Sequence, residues 1–273
     1  KQLCIAMRVK RLGYEEKNIS AATFTRLKET LGARHIELVP VEGIIERLRM
    51  IKKAAELDKI RKATVITMNA LKFAKSLIKP GIKEIQVAAE IERFIRYRGA
   101  RTSAFEIIVA SGPNSSRPHH ITSQRIIRPA ETVLVDVGVD YEGYKSDLTR
   151  VFFLGRISSI TRRVYGIVRE AQDKAIKAIK PGVLINKIDA AARQYITRKG
   201  YGGFFGHALG HGIGLEVHEA PQISSKETNT LKENMVFTVE PAIYLAGQFG
   251  IRIEDMVLVN RKGCEVLSGS LNQ

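Results

Sequence analysis

Apolar residues recur along this chain at helical spacing, and they do so twice. Between residues 56 and 100, Ile60, Ala63, Ala70, Ala74 and Leu77 fall on one helical face that stops at Lys79-Pro80-Gly81. A second face runs from about Ile85 through Ala88, Ile91 and Ile95 to Gly99. Residues 161–200 repeat the arrangement with Val164, Ile167, Val168, Ala171, Ala175 and Ala178, a stop at Lys180-Pro181-Gly182, then Ile188, Ala191, Tyr195 and Gly200. The two stops lie 101 residues apart. Each helical pair is followed by short apolar runs around glycine-containing turns that read as strand hairpins. The expected fold is therefore α+β, with two helix-helix-strand halves related by a pseudo-twofold axis. Residues 1–42 stand outside the repeat: Ser20 to Leu31 reads as a helix with a serine N-cap, and Ile36 to Val41 as a strand. That predicts a small separate α/β unit before a main domain at 43–273.

The strand runs carry acids where none would be expected. Asp136 lies in Val133-Leu-Val-Asp-Val-Gly138 and Asp147 in Gly143-Tyr-Lys-Ser-Asp-Leu-Thr-Arg150, and pairing of these strands is expected to set the two face to face. Glu240 and Glu254 repeat the arrangement in Met235-Val-Phe-Thr-Val-Glu-Pro241 and Gly250-Ile-Arg-Ile-Glu-Asp255. An ionised, unpaired acid in an apolar strand is costly to bury, and metal coordination removes that cost. Between the pairs, Gly206-His-Ala-Leu-Gly-His-Gly-Ile-Gly214 supplies His211. Four carboxylates and one imidazole suit manganese or cobalt, with zinc or iron as further options, better than a thiolate-loving ion. Two such ions about 3.5–4 Å apart can activate a water and clamp a developing oxyanion, which points to amide hydrolysis.

The order Asp, Asp, His, Glu, Glu with these flanks resembles the pita-bread metallopeptidases, the family of methionine aminopeptidases, Xaa-Pro aminopeptidases and Xaa-Pro dipeptidases. The resemblance covers roughly residues 42 to 268 and includes Leu48-Arg-Met-Ile-Lys52, Ser111-Gly-Pro-Asn114 and Pro118-His119. Glu240 and Glu254 are 14 residues apart, and this spacing, the Ser-Asp-Leu-Thr-Arg around Asp147 and Tyr244 all favour the proline-peptidase branch. The resemblance implies a pita-bread (creatinase/aminopeptidase) fold and hydrolysis of the Xaa-Pro bond of dipeptides or peptide N-termini through a water bridging two divalent metals. It implies Asp136, Asp147, His211, Glu240 and Glu254 as ligands, with Glu240 also the general base. His119 and His218 would hydrogen-bond the reacting amide, and His207 would help line the pocket for the residue after the cut. Arg252 is expected to orient Glu254. Residues 1–42 resemble the end of the N-terminal creatinase-like domain of proline peptidases; with Lys1 rather than Met first, the remainder of that domain is expected to be missing through truncation, processing or partial sequence. Asn234 and Ala242 stand where the family usually has glycine.

Composition modifies this picture in one respect. The formal net charge is +16, which peptide hydrolysis does not require. Basic clusters at Arg8 to Arg11, Lys52-Lys53, Lys59 to Lys62, Arg93 to Arg101 and Arg162-Arg163 read mainly as solvated helix faces, with nucleic-acid affinity as the lesser reading. There is no apolar run near the ~20 residues of a membrane span. Cys4 and Cys264 have no metal-ligand spacing, so a reducing cytoplasm, a peptide substrate and a homodimer complete the expectation. The alternatives are methionine aminopeptidase-type activity or a non-catalytic pita-bread protein that binds nucleic acid or protein; a metal-free amidinohydrolase conflicts with the five ligand positions.

Overall fold

A computed structural model describes residues 2–269. Lys1, where the first expected unit starts, and residues 270–273, at the end of the second, lie outside them. The chain divides into two compact units between Leu48 and Arg49. In the first, α1 (Gln2–Ala6) precedes a parallel strand pair, β1 (Arg11–Glu15) and β2 (Glu37–Val41), connected through α2 (Ala21–Gly32). Ser20 caps α2 as expected, its hydroxyl accepting from the Thr23 amide. Leu31 and Ile36 are buried, and the Tyr14 and Phe24 rings pack 5.0 Å apart. α3 (Ile44–Met50) carries the chain through the division.

The second unit contains both predicted repeats. Its first half consists of α4 (Ala54–Leu77) and α5 (Glu84–Tyr97), then β3 (Thr102–Ser103), β4 (Ile108–Ser111), β5 (Thr132–Val137), β6 (Val139–Tyr141), β7 (Tyr144–Lys145) and β8 (Leu148–Phe153). The second half consists of α6 (Ser159–Ala178) and α7 (Ile185–Arg198), then β9 (Gly210–Gly212), β10 (Glu219–Ile223), β11 (Val236–Val239), β12 (Ala242–Leu245), β13 (Phe249–Arg252), β14 (Asp255–Asn260) and β15 (Gly263–Val266). Strands β4-β5-β8 form one antiparallel sheet, and β10-β9-β11-β14-β15 another. This is the pita-bread arrangement, with a helix pair and a sheet in each half.

Helical faces and sheets bury each other. In the first half Ile60, Ala63, Ala70 and Ala74 of α4 and Ala88, Ile91 and Ile95 of α5 pack with Val133, Val135 and Val137 of β5. In the second, Val164, Ile167, Val168, Ala171 and Ala175 of α6 and Ile188 and Tyr195 of α7 pack with Phe237, Val239 and Ile251. Each fully buried large aliphatic contributes roughly 1.5–3 kcal/mol. Ile85 departs from the predicted face and is exposed. Asn234 has a φ of 66°, so the left-handed backbone explains why this position takes asparagine or glycine. Ala242 lies within β12 opposite Arg252, not in a turn. Among the described residues no helix is long and apolar enough to cross a membrane.

Candidate metal centre

Both acid-bearing hairpins are interrupted ladders. In the second, Val239 pairs with Asp255 and, past a gap, Ala242 pairs with Arg252, so the continuing register sets Glu240 opposite Glu254. Pro241, which has no N–H to give the ladder, sits in that gap. In the first hairpin the expected face-to-face pairing of Asp136 with Asp147 is corrected: Asp136 pairs with Thr149. Asp147 lies two residues before Thr149 and shares its face by the period-2 alternation, which makes it the diagonal neighbour of Asp136. The gap between β5–β8 and the tip pair β6–β7 falls at Gly138 and Ser146-Asp147. A Cβ on Gly138 would lie 2.1 Å from the Ser146 carbonyl oxygen, so the approach there requires glycine.

His211 enters from β9, which is bonded to both β10 and β11. One ligand atom each from Asp147, His211 and Glu254 lies within 4.8 Å of the others. His211 Nε2 is 3.7 Å from Asp147 Oδ2 and 3.4 Å from Glu240 Oε1. Asp136 and Glu240 line the same cavity, of about 440 Å³. Thus the structure brings Asp147, His211 and Glu254 within mutual reach, with Glu240 also close to His211 and Asp136 on the same cavity.

The electrostatics show what this cluster lacks. Burial, then repulsion from Glu254, Asp136 and Glu240, pushes Asp147 well above the usual carboxylate range. Burial, then Glu240 and Asp136, does the same to Glu254. Glu240 is pushed up to about 8 by burial, with Arg252 opposing. His211 is pushed down to about 4 by burial and by His218, and a neutral imidazole is the ligating form. Asp136 Oδ1, Asp147 Oδ1 and Glu254 Oε1 are buried without a hydrogen-bond partner. Orphaned oxygens on three neighbouring acids are what a divalent cation would satisfy, so the residues fit the metal that the sequence implies.

The remaining partners of the acids come from residues the sequence assigned differently or not at all. Arg252 is buried, and it holds Asp136 instead of Glu254: its Nη2 donates to Asp136 Oδ2 at 2.6 Å. Its other nitrogens donate to the Tyr244 hydroxyl at 2.7 Å, the Thr149 hydroxyl at 3.1 Å and the Pro118 carbonyl at 3.2 Å. Glu254 is oriented by the Thr149 hydroxyl at 2.6 Å, and Glu240 accepts from Thr238 at 3.2 Å. A threonine in a strand carries no chemical signature in sequence, so both were missed.

The other predicted histidines surround the acids. His119 and His218 are exposed at the cavity, and the His218 ring centroid is 4.2 Å from that of His211. His207 hydrogen-bonds the Ala208 carbonyl through Nδ1 at 2.7 Å and meets the Tyr244 hydroxyl through Nε2 at 3.3 Å. Burial pushes His207 down to about 4. His120 also lines the cavity but is buried against Glu84 at 3.0 Å, while His35 is exposed. Lys52, grouped by sequence with solvated basic faces, is instead buried and donates to Glu219 at 2.7 Å.

Comparisons with known proteins agree with this geometry. Residues 58–261 match the model of metallopeptidase family M24, and residues 1–51 match that of the creatinase/prolidase N-terminal domain. The chain is 39% identical over 253 residues to the Xaa-Pro dipeptidase of Pyrococcus furiosus, covering 93% of this chain and 72% of that protein. A solved Xaa-Pro dipeptidase from Bacillus anthracis superposes with a TM-score of 0.95 at 40% identity, over 98% of this chain and 74% of that one. The X-Pro aminopeptidase from Thermotoga maritima MSB8 superposes with a TM-score of 0.90 at 40% identity, over 98% and 75%. A matching family model over most of the length, on a fold that brings buried acids to one imidazole, leads to one conclusion: the chain belongs to metallopeptidase family M24.

Proposed function

We propose that this metallopeptidase hydrolyses the Xaa-Pro bond of dipeptides or peptide N-termini, using two divalent ions, manganese or cobalt, held by Asp136, Asp147, His211, Glu240 and Glu254. The observation that carries the reading is the set of three orphaned carboxylate oxygens, on Asp136, Asp147 and Glu254, beside His211. Relatives named Xaa-Pro dipeptidase and X-Pro aminopeptidase support the substrate class. When bound, the ions would supply Lewis acidity and lower the pKa of water.

The chain's own residues account for the rest. Glu240, fixed by Thr238, takes a proton from the attacking water as general base. Arg252 and Thr149 hold Asp136 and Glu254 in place, so the acids do not reorganise as charge develops. His119 and His218, at the cavity, donate to the scissile amide and its developing oxyanion. His207 and Tyr244 form the wall that receives the residue after the cut.

The domain reading assigns 1–42 to an N-terminal creatinase-like domain and 43–273 to the catalytic domain; the compact-unit division and the N-terminal family match support it. A cytoplasmic homodimer completes the proposal, and the two unpaired cysteines fit a reducing compartment. Pairing of Arg61 with Glu265, Arg93 with Glu90 and Arg96 with Glu92 leaves less free positive charge for nucleic acid.

The test is elemental analysis alongside hydrolysis of Ala-Pro, a longer Xaa-Pro peptide and a Met-Gly peptide with added manganese. About two metals per chain with proline-specific release is expected. Cleavage of the Met-Gly peptide alone, or a folded chain that takes up no metal, overturns the proposal.

A further inference from the structure

Glu84, the first residue of α5, is fully buried although it is charged and lies outside the metal cluster. Both of its oxygens are saturated with donors from one segment of chain. Oε1 accepts from the Ser111 amide and hydroxyl, each at 2.7 Å, and from Asn114 at 3.0 Å. Oε2 meets His120 Nε2 at 3.0 Å, the Ser123 hydroxyl at 2.6 Å and the Ser123 amide at 3.3 Å. Burial alone would push this carboxyl up, but the hydrogen bonds from Ser123, Ser111 and His120 outweigh it and hold Glu84 below its ordinary value. The α5 backbone adds two bonds, from the Glu84 and Ile85 amides to the Arg125 and Ser123 carbonyls.

The segment gripped in this way, residues 111–123, contains His119 between Asn114 and His120. Its far side is tied to the second half, where the Gly250 amide donates to Ser115 at 2.9 Å and Arg252 to the Pro118 carbonyl at 3.2 Å. Both adjacent histidines line the cavity, but His119 is exposed there and His120 is buried with its ring on Glu84. With the His120 ring engaged by Glu84, the His119 ring is the one free to meet substrate.

We propose that the Glu84–His120 pair is a positioning device that sets the reach of His119 into the active site. The inference rests on the proposed role of His119 in Xaa-Pro hydrolysis. A misplacement of about 1 Å at a reacting group can cost on the order of 100-fold in rate. His120→Ala is therefore expected to lower kcat about 10–100-fold, with metal content unchanged and KM little affected, and His120→Gln, which can still donate to Glu84, is expected to recover most of it. In a His119→Ala background, His120→Ala should have no further effect on kcat, because the ring it positions is gone.

Glu84→Gln should behave as His120→Ala does if it folds; the histidine variants carry the test if it does not. Multiplicative losses in the double variant, or no rescue by glutamine, overturn the inference. The His119 ring proton resonances give a readout independent of turnover: they should shift in His120→Ala and return in His120→Gln. Unshifted resonances in His120→Ala overturn the positioning role even in a protein that cleaves no Xaa-Pro bond, whereas shifted resonances without Xaa-Pro hydrolysis by the parent overturn only the proposed function.

Discussion

Arg252 is a buried cation bonded to a carboxylate of the acid cluster, and Arg252→Gln in metal-free protein tests how that cluster tolerates burial. Arg252 is 4% exposed, and its guanidinium donates to Asp136, Tyr244, Thr149 and the Pro118 carbonyl. Asp136 Oδ1 is orphaned, so the Arg252 bond to Oδ2 is the cationic partner its carboxylate would lose. Removing one member of a buried ion pair typically costs about 3–5 kcal/mol, because the other charge remains buried and uncompensated. A chelated Arg252→Gln protein should lose about that much in urea unfolding followed by far-UV circular dichroism. The loss should shrink when manganese is added, because a divalent cation then neutralises the same acids. Asp136→Asn should cost less by itself, since Asp136 also repels Asp147, Glu240 and Glu254. In the Asp136→Asn background, the cost of Arg252→Gln should fall by at least half. An Arg252→Gln protein within about 0.5 kcal/mol of the parent under chelation, or the same cost in both backgrounds, would refute the reasoning.

Glu240→Gln should keep some metal and lose turnover of Ala-Pro; wild-type turnover in that variant removes its role as base. His119→Ala and His218→Ala should lower turnover by a few orders of magnitude at most, with metal still bound by elemental analysis, and loss of metal in either would place it among the ligands instead. His207 is held near 4 in the folded chain against 6.5 for a free imidazole, so the unfolded chain binds more protons between those values. Its contribution is present above about pH 6.5 and lost as the pH falls toward 4, on the order of 3 kcal/mol in all. His207→Gln should reduce the slope of unfolding free energy against pH in that window, leaving the part due to His211, and an unchanged slope counts against the burial assignment.

The helices were legible because a buried face repeats every few residues whatever it packs against: Ile60 to Ala74 and Val164 to Ala175 mark their own burial. The acids were legible for the opposite reason, as charge placed inside Val133 to Gly138 or Met235 to Pro241 contradicts its surroundings. Local register was only half legible. The symmetric gap at Pro241 sets Glu240 opposite Glu254, but the first hairpin places Asp136 against Thr149, and the sequence shows no sign of that offset.

Sequence alone determined the repeat, the class of fold, the family and the identity of the candidate ligands, since each depends on residue type at a fixed spacing along one chain. Tertiary structure decided which group answers which. Arg252 turned out to hold Asp136, Thr149 to hold Glu254, Lys52 to be buried against Glu219, and Glu84 to grip the segment that carries His119. Those pairings join residues tens to more than a hundred positions apart. Hydrogen bonding acts over about 3 Å, and no periodicity along the chain encodes which distant atoms the packing of two halves will bring within that distance.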